Sequence, residues 1–424
     1  MSKVDYDVIV VGAGTSGMMA GIHAAMNGAR VLVIEKNQKP GRKLILTGGG
    51  RCNVTNRSSR DDLIAHIPGN GKFLYSTLDQ FDQEDIMHFF IDRGIPLKEE
   101  DHGRMFPVTD SARTIRDCLV AELSHLQVDL RLDDPVAQIN YDHVHKHVSG
   151  LTTRRGQTIT AHSVILAVGG MAYPRTGSQG DGYQWAEAAG HTLTDFYPTE
   201  SPLLSNDSFI QDKTLQGISL RDVAVTLWDD HDKAIVTHRM DMIFTHFGYS
   251  GPAILRCSGH VNQFLMHNQA TTAHLTIDLV PDRSQSDLME EADAQRNKQL
   301  VTLLKPYLPE KLSHLIHQQV NIPIGSAYKQ IDHQQITALW QRIKAFPITS
   351  YGSQPIAKGF VTGGGVHLKE IVPQTLQSKL MAGLFFCGEI LDINGYTGGY
   401  NITAAFTTGA VAGQHAAWHS LARQ

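Results

Sequence analysis

The stretch that decides the fold runs from Asp7 to Glu35 and reads DVIVVGAGTSGMMAGIHAAMNGARVLVIE. Its first apolar run, Val8–Val11, is short enough for a buried parallel strand. A glycine-rich turn, a run of good helix formers ending at Gly28, and a second apolar run closed by Glu35 follow in that order. This order predicts the strand–helix–strand unit of a Rossmann-like fold.

The turn has the spacing G-x-G-x-x-G, and each glycine has its own expected task. Gly12 permits the tight turn, Gly14 lets the backbone approach a pyrophosphate, and Gly17 lets the helix pack closely on the strand. The helix N-terminus presents free N–H groups and a positive dipole end to phosphates. Glu35 is placed to accept hydrogen bonds from an adenosine ribose. The unit therefore indicates dinucleotide binding rather than a merely structural turn, but alone it does not choose between NAD and FAD.

Composition bounds the class of protein. The chain has 424 residues, with 37 Lys and Arg against 42 Asp and Glu, so a dedicated nucleic-acid surface is not expected. Its 22 histidines are scattered without ligand spacing, which predicts no metal site. No apolar stretch suits a membrane span, and no signal peptide is evident, so a cytoplasmic protein is expected. The cysteines form no C-x-x-C pair and stand at Cys52, Cys118, Cys257 and Cys387.

The loop from Lys36 to Asn56, KNQKPGRKLILTGGGRCNVTN, joins several cations to three consecutive glycines, Gly48–Gly50. Backbone N–H groups beside cations suit phosphates or an anionic ring system. The alternative is a surface loop with solvated charges. Cys52 in this loop invites a nucleophilic interpretation, but no second cysteine or base is near in sequence, which favours a small buried packing residue.

The composition changes between about Thr192 and Gln354, where strand-like segments are followed by helical patterns. Features of the dinucleotide domain lie on both sides, as expected for an insertion at a surface loop. We therefore predict three segments: residues 1–191 and 355–424 form the cofactor domain, and residues 192–354 form a β-rich insert. A helical subdomain is expected at about 281–345, with helices predicted over Asp287–Leu304, Glu310–Gln319 and His333–Lys344. Earlier in the chain, Val144–Thr152 is predicted to form a strand.

Near the end of the chain, an apolar strand runs into Gly388, an acidic loop carries Asp392, and Gly398–Asn401 opens a helix. This arrangement resembles the second cofactor motif of two-dinucleotide-fold flavoproteins of the glutathione-reductase type. In those proteins the acid contacts the ribityl or pyrophosphate group, and the last helix points its N-terminus at the flavin. A helix N-terminus stabilises the negative charge of reduced flavin. The resemblance implies non-covalent FAD as the resident cofactor.

Further motifs extend the resemblance over nearly the whole chain: GGGRCNVTN, AVGG-x-x-YP-x-TGS-x-GDGY, FTHFGYSGPAILRCS, VTGGGVHLKE and GEILDINGYTGGYNITAAFTTG. Together they are similar to the BaiN/YhiN family of bacterial NAD(P)/FAD-dependent oxidoreductases. The family implies a three-layer α/β fold interrupted by a β-rich insert with a helical part. The FAD contacts implied by the resemblance are Ser16, Glu35, Lys36, Arg42, Thr47, Arg51, Val136, Gly170, Asp392, Asn401 and Ile402. The motif glycines expected at the same site are Gly12, Gly14, Gly17, Gly388 and Gly399.

The expected chemistry is hydride transfer between flavin N5 and a small organic substrate, with NAD(P)H as a candidate electron donor. Because no second strand–G-x-G-x-x-G–helix unit is present in the sequence, NAD(P)H would enter the substrate cleft. The alternatives are an oxygen-using oxidase of a small amine such as aminoacetone, and a flavin redox sensor without turnover. A flavoprotein that modifies RNA would need a basic face and a reactive cysteine pair, and neither is visible in the sequence. The sequence does not indicate an oligomeric state.

The substrate cleft is expected between the flavin and the insert. His246 and Tyr396 are the candidates for moving a proton. The candidates for lining the cleft are Tyr173, Arg175, Tyr249, Ser250 and Thr397. For each of these side chains taken singly, a role in shaping domain contacts explains the pattern equally well.

Overall fold

The computed structural model describes residues 4–423. Its strands are β1 (Tyr6–Val11), β2 (Val31–Ile34), β3 (Thr55–Asn56), β4 (Leu97–Glu100), β5 (Arg104–Pro107), β6 (Asp129–Arg131), β7 (Val136–Asp142), β8 (His147–Thr153), β9 (Thr158–Leu166), β10 (Tyr197–Thr199), β11 (Leu203–Leu204), β12 (Ser219–Trp228), β13 (Ala234–Phe244), β14 (Gly248–Ser250), β15 (Ala273–Asp278), β16 (Phe346–Ser350), β17 (Gly352–Ser353), β18 (Val361–Gly363) and β19 (Leu384–Phe386).

The α-helices alternate with these strands in the first part of the chain and cluster between β15 and β16. They are α1 (Thr15–Met26), α2 (Arg60–Ala65), α3 (Tyr75–Leu78), α4 (Gln83–Ile91), α5 (Ala112–His125), α6 (Asp181–Ala188), α7 (Ser208–Gln211), α8 (Pro252–His267), α9 (Gln285–Ala294), α10 (Leu300–Leu304), α11 (Glu310–Gln319), α12 (His333–Lys344) and α13 (Tyr400–Leu421).

The chain forms two compact units. The first contains residues up to Tyr197 and from Phe360 onward, and the second contains Pro198–Gly359. In the first unit, the sheet order is β6-β2-β1-β9-β8-β7, with β19 also paired to β9. The pairs β1–β2, β1–β9, β2–β6 and β9–β19 are parallel, whereas β7, β8 and β9 form an antiparallel meander. The predicted Rossmann-like α/β fold is confirmed.

Close packing of α1 against α13 joins the two ends of the chain within the first unit. A Cβ on Gly409 would lie 2.4 Å from the backbone oxygen of Ser16, and one on Gly413 would lie 2.2 Å from that of Ala20. These two glycines, one helical turn apart, therefore let the backbone of α13 approach that of α1. The small residues near the end of the sequence set the distance between these helices.

The second unit contains an antiparallel sheet with the order β16-β15-β12-β13-β14-β11-β17. Its inward side chains, including Val225, Leu227, Leu275 and Ile277, are buried, as the alternating pattern requires. A separate hydrophobic core forms among the sheet, α8 and the helices α9–α12. The antiparallel sheet confirms that a β-rich region accompanies the Rossmann-like sheet.

Two local predictions were wrong. The helix predicted over Asp287–Leu304 is broken into α9 and α10, because the segment between them pairs with a later one: Tyr328 N–H donates to Lys298 O (3.0 Å) and Leu300 N–H donates to Ser326 O (3.0 Å). The predicted strand Val144–Thr152 begins only at His147, since residues 143–146 form a turn. Among residues 4–423, no helix is both long and apolar enough to cross a membrane.

Candidate functional site

In the first glycine-rich turn, two glycines are required by close packing and one leaves open space. Gly12 has φ +102°, and a Cβ there would lie 2.6 Å from Ala167 O. A Cβ on Gly17 would lie 1.8 Å from Gly12 O, so Gly17 is required by packing. A Cβ on Gly14 would have no described protein atom within 4 Å. The space at Gly14 is therefore open on the side where a pyrophosphate is expected.

Glu35, at the end of β2, is held by hydrogen bonds to the turn. Its Oε2 atom accepts from Ala13 N–H (2.8 Å), and Oε1 accepts from the backbone N–H and side-chain amide of Asn37 (2.8 and 2.6 Å). A carboxylate has about four acceptor positions, so capacity remains for a ribose hydroxyl. The predicted ribose contact of Glu35 stays a prediction.

Four cations of the Lys36–Asn56 loop have partners inside the first unit. Lys36 pairs with Asp181, and Arg42 Nη1 donates to Asn37 Oδ1 (2.7 Å). Lys43 Nζ lies 2.6 Å from Glu389, and Arg51 lies 2.8 Å from Glu100 and over the Phe106 ring at 4.2 Å. These partners hold the loop in one conformation. Arg42 is exposed and the other three are partly exposed, so ligand contact by this loop stays a prediction beside the surface-loop alternative.

The last glycine motif meets the first one. Gly388 has φ +76°, and a Cβ there would lie 2.5 Å from Ser16 Oγ at the start of α1. Gly388 N–H donates to Thr408 Oγ1 (3.0 Å), which fixes the turn to α13. Cys387 is completely buried beside this turn. The structure thus brings together two predicted cofactor motifs that are far apart in sequence.

The N-terminus of α13 is attached to the loop that ends at Asn56. Asn56 Nδ2 donates to Gly398 O (3.0 Å), and the hydroxyls of Thr55 and Thr403 lie 2.7 Å apart. Asn401 closes the preceding turn, because its Oδ1 accepts from Gly395 N–H (2.7 Å) and its Nδ2 donates to Gly395 O (2.6 Å). The side chain of Asn401 is therefore committed to the turn, and the helix start is rigidly held.

Buried polar atoms without partners lie at the two cofactor motifs. Among the described residues, Asn53 Oδ1 and Tyr183 Oη have no hydrogen-bond partner. A Cβ on Gly399 would lie 3.1 Å from Asn53 Oδ1. Burial raises the pKa of Tyr183, and the negative charges of Glu389 and Asp392 raise it further. Burial also raises the pKa of Asp392. Unsatisfied buried groups of this kind fit a bound polar ligand, and FAD is the ligand that the surrounding motifs suit.

The other predicted cofactor residues also lie in the first unit. Gly170 packs against Thr362, whose hydroxyl accepts from Met171 N–H (2.9 Å) and would lie 2.5 Å from a Cβ on Gly170. Thr47 Oγ1 donates to Leu44 O (2.6 Å), and Val136 is buried at the start of β7. Ile402 is half-buried in the first turn of α13. Contacts of these residues with FAD remain predictions.

The predicted cleft residues are divided between the units. Tyr173 stacks on Phe360 with the ring centroids 5.7 Å apart, and Arg175 and Thr397 are exposed. Tyr396 is buried and packs edge-on against His66. These residues belong to the first unit.

In the second unit His246 is exposed and Ser250 is half-buried. The prediction for Tyr249 was wrong. Its side chain is completely buried in the core of the second unit, and its hydroxyl bonds to Asp207 and Ser205, so it is not free to line a cleft.

Sequence reasoning did not assign functions to Asn53, Lys43 or Glu389. Glu389 accepts from Lys43 Nζ and from Thr362 N–H (2.8 Å), so it joins the early loop to the late strand β18. The signal for Asn53 was its place directly after the glycine run in GGGRCN. The signal for Glu389 is its position directly after Gly388, at the end of the predicted strand.

A family model described as "HI0933-like protein Rossmann domain" matches residues 6–415. The chain is 30% identical over 406 residues to the ribosomal RNA dihydrouridine synthase of Escherichia coli (strain K12), covering 95% of this chain and 96% of that protein. It is 29% identical over 402 residues to the protein of the same name from Haemophilus influenzae, covering 94% and 96%.

A third relative is the 3-dehydro-bile acid delta(4,6)-reductase of Clostridium scindens, 28% identical over 426 residues and covering 96% of this chain and 98% of that protein. Among solved structures, the 3-ketosteroid delta1-dehydrogenase from Sterolibacterium denitrificans aligns with a TM-score of 0.52 at 15% identity, covering 97% and 99% of the two chains. At that identity, the structural likeness bears on the fold alone.

Proposed function

The chain belongs to the HI0933-like family of FAD-dependent oxidoreductases, and from that premise we propose that it adds hydrogen across a carbon–carbon double bond conjugated to a carbonyl group. The observation that carries this proposal is that three relatives, matched over nearly their whole length, have names that describe the same kind of reaction. Two are named ribosomal RNA dihydrouridine synthase, and the third is named 3-dehydro-bile acid delta(4,6)-reductase. Dihydrouridine is uridine with its ring double bond saturated, so both names describe the saturation of an activated alkene.

The reaction requires one hydride and one proton for each double bond. Bound FAD, once reduced, supplies the hydride. NAD(P)H is the proposed source of the two electrons, so that NAD(P)H, a proton and the alkene yield NAD(P)⁺ and the saturated product. The chain's own contribution is to hold the cofactor through its two glycine motifs and to stabilise negative charge at the N-terminus of α13. Tyr396 and His246 remain the candidates for moving the proton.

The first candidate substrate is a uridine in ribosomal RNA, because the two relatives of highest identity among those described are named for that reaction. The prediction of no nucleic-acid partner depended on the net charge of −5 and on the lack of a visible basic face or reactive cysteine pair in the sequence. Net charge describes the whole chain and does not report on a local face. The second candidate is a small enone such as an oxidised steroid, which the bile-acid relative supports.

A sequence of two half-reactions tests the proposal. The FAD-loaded protein is mixed with NADH or NADPH without oxygen, and bleaching of the flavin absorbance is followed by stopped flow. The reduced protein is then offered an unmodified ribosomal RNA transcript or a 4,6-dien-3-one steroid, and the return of the absorbance is measured. We expect reoxidation by one substrate with the gain of two hydrogens detected by mass spectrometry.

Each remaining outcome has a meaning for the proposal. Reoxidation by the steroid alone would select the second substrate and restore the prediction of a small-molecule substrate. Reduction of the flavin by an amine, with reoxidation by oxygen and by neither alkene, would contradict the proposal and support the oxidase alternative. If neither NADH, NADPH nor an amine reduces the flavin, the remaining hypothesis is a flavin redox sensor without turnover.

A further inference from the structure

We infer that the carboxamide oxygen of Asn53 is a cofactor contact that accepts a hydrogen bond from a ring N–H of the bound flavin. The inference deepens the proposed function and rests on it in one respect, namely that FAD occupies the site. It concerns a residue outside the set of contacts that the sequence implies. Asn53 is 7% exposed, and its side-chain oxygen is buried without a hydrogen-bond partner among the described residues.

The backbone on both sides holds Asn53 in place. Cys52 adopts a left-handed conformation with φ +62°, is completely buried, and donates its N–H to Thr47 O (3.0 Å). Val54 N–H donates to Met105 O (2.8 Å). Because both neighbours are fixed and buried, the Asn53 side chain cannot turn out to solvent without disrupting the loop. Its unpaired oxygen is therefore a stable property of the site.

The position of the oxygen supplies the complementary chemistry. It lies 3.1 Å from the point where a Cβ on Gly399 would sit, and Gly399 is the residue that begins α13. The first turn of a helix offers N–H donors and a positive dipole end. An acceptor beside a set of donors matches the pyrimidine edge of a flavin, where a ring N–H stands between two carbonyl oxygens.

Asn56, three residues later, shows what a structural asparagine looks like in the same loop. It is completely buried, its Nδ2 atom donates to His102 O (2.9 Å) and Gly398 O (3.0 Å), and its Oδ1 accepts from Ser58 N–H (3.0 Å). A buried polar atom without a partner is destabilising in the protein alone. The contrast indicates that Asn56 serves the fold, whereas the Asn53 oxygen serves a group that arrives with the cofactor.

The test compares Asn53→Leu with the matched control Asn56→Leu in the full-length protein, before and after removal of FAD. For Asn53→Leu we expect FAD affinity to fall about tenfold, measured by flavin fluorescence quenching. Its urea midpoint without FAD should equal or exceed that of the wild type, because an unpaired buried acceptor has been removed. For Asn56→Leu we expect the midpoint to fall, because the side-chain hydrogen bonds to His102, Gly398 and Ser58 are lost.

Two more measurements locate the contact on the flavin ring. The affinity for ADP, which lacks the ring, should be the same in Asn53→Leu and wild type by calorimetry. Asn53→Asp keeps the acceptor and should bind oxidised FAD within about threefold of wild type, while its added negative charge should lower the midpoint potential of the bound flavin. If Asn53 had only a structural role, the Asn53→Asp substitution would not lower the midpoint potential of the bound flavin.

Several results would overturn the inference. Wild-type FAD affinity in Asn53→Leu would do so, as would equal losses for FAD and ADP. A drop in the urea midpoint matching that of Asn56→Leu, or a failure of Asn53→Leu to fold, would make Asn53 a structural residue. If the wild-type chain bound no FAD at all, the proposed function would fail instead, and that result is distinguishable from all of these.

Discussion

Two glycine-rich segments of the first unit, Gly12–Gly17 and Gly48–Asn53, look alike in sequence and differ in how they are built. In the first, a Cβ on Gly17 would meet backbone at 1.8 Å, so the segment is closed by its own packing. In the second, a Cβ on Gly49 would meet no described atom within 4 Å, although the residue has φ +67°. The second segment also leaves the Asn53 oxygen unpaired.

The difference shows that the surroundings of a glycine, more than its presence in a motif, report its task. Where a Cβ would strike protein, the glycine sets a helix–strand or helix–helix distance. Where a Cβ would meet nothing and polar groups are left over, the glycine leaves room for a ligand. Both tasks occur within each segment, because Gly14 has the open surroundings that Gly17 lacks, and a Cβ on Gly48 would lie 2.9 Å from Asn53 N whereas Gly49 is open.

The largest expected effect comes from replacing one closely packed glycine and one open glycine of the first segment by alanine. Gly17→Ala should prevent folding or cost more than about 3 kcal/mol of stability, because its Cβ would overlap Gly12 O and the turn cannot widen. Gly14→Ala should change the stability of the FAD-free protein by no more than about 0.5 kcal/mol. It should lower FAD affinity roughly tenfold, because the methyl group occupies the pyrophosphate's approach. Urea unfolding and FAD titration measure the two quantities, and equal behaviour of the two variants would break the comparison.

A second substitution extends the packing rule to the helix pair. Gly409→Ala would place a methyl group 2.4 Å from Ser16 O, and moving α13 away from α1 should cost about 3 kcal/mol. Gln414→Ala, on the same helix at a half-exposed position, is the control and should be nearly neutral. Urea unfolding checks both. A neutral Gly409→Ala variant would mean that the helices can separate freely and that packing does not set their distance.

A third prediction concerns pH and the body of α1. Burial, and then the charge of Arg93, lower the pKa of His23 from 6.5 to about 4. The neutral form is favoured in the folded protein, so stability is complete above pH 6.5 and is lost as pH falls toward 4. The loss attributable to His23 should be about 2 kcal/mol at pH 5.

His23→Leu isolates this contribution. The difference in unfolding free energy between wild type and variant should change between pH 7 and pH 5 by about 2 kcal/mol in favour of the variant. His143→Ala, in an exposed turn, is the control and should show no such change. A pH-independent difference for His23→Leu would mean that α1 is less tightly enclosed than its packing indicates.

The smallest effect is expected at the cysteine of the open segment. Cys52 is completely buried, and burial raises the pKa of its thiol to about 12, so it should resist iodoacetamide at pH 8. Cys118 is half-buried and should react first. Mass spectrometry of native protein locates the label, and Cys118→Ser should abolish most of it. Rapid labelling of Cys52 would show that the Gly48–Asn53 segment opens enough to expose this buried thiol to reagent.

Much of the fold follows from patterns that local sequence carries. The runs Val8–Val11 and Val31–Ile34 became adjacent parallel strands, and the helices predicted over Glu310–Gln319 and His333–Lys344 have those bounds. The break between α9 and α10 was missed, because no glycine or proline marks it. Backbone pairing with residues near Tyr328 causes the break, and that pairing is a tertiary interaction.

The candidate site was predictable where a motif states its own geometry. The glycines of the first turn and the helix start at Gly399 are of this kind. Tyr249 was mistaken for a cleft residue because an aromatic side chain in a glycine-rich loop gives no local sign of burial. The unpaired state of Asn53 was likewise invisible, since Asn53 and Asn56 are the same residue type in the same loop and differ only in their neighbours.

The packing of α13 on α1 has a consequence for synthesis of the chain. The second unit is continuous in sequence, so it can fold as soon as Gly359 has left the ribosome. The first unit must wait for its last helix, because Gly388 and Gly409 rest against Ser16 from the opposite end of the chain. Assembly of the first unit is thereby coupled to synthesis of the chain as far as Gly409, and a product terminated before Gly388 lacks the second glycine motif.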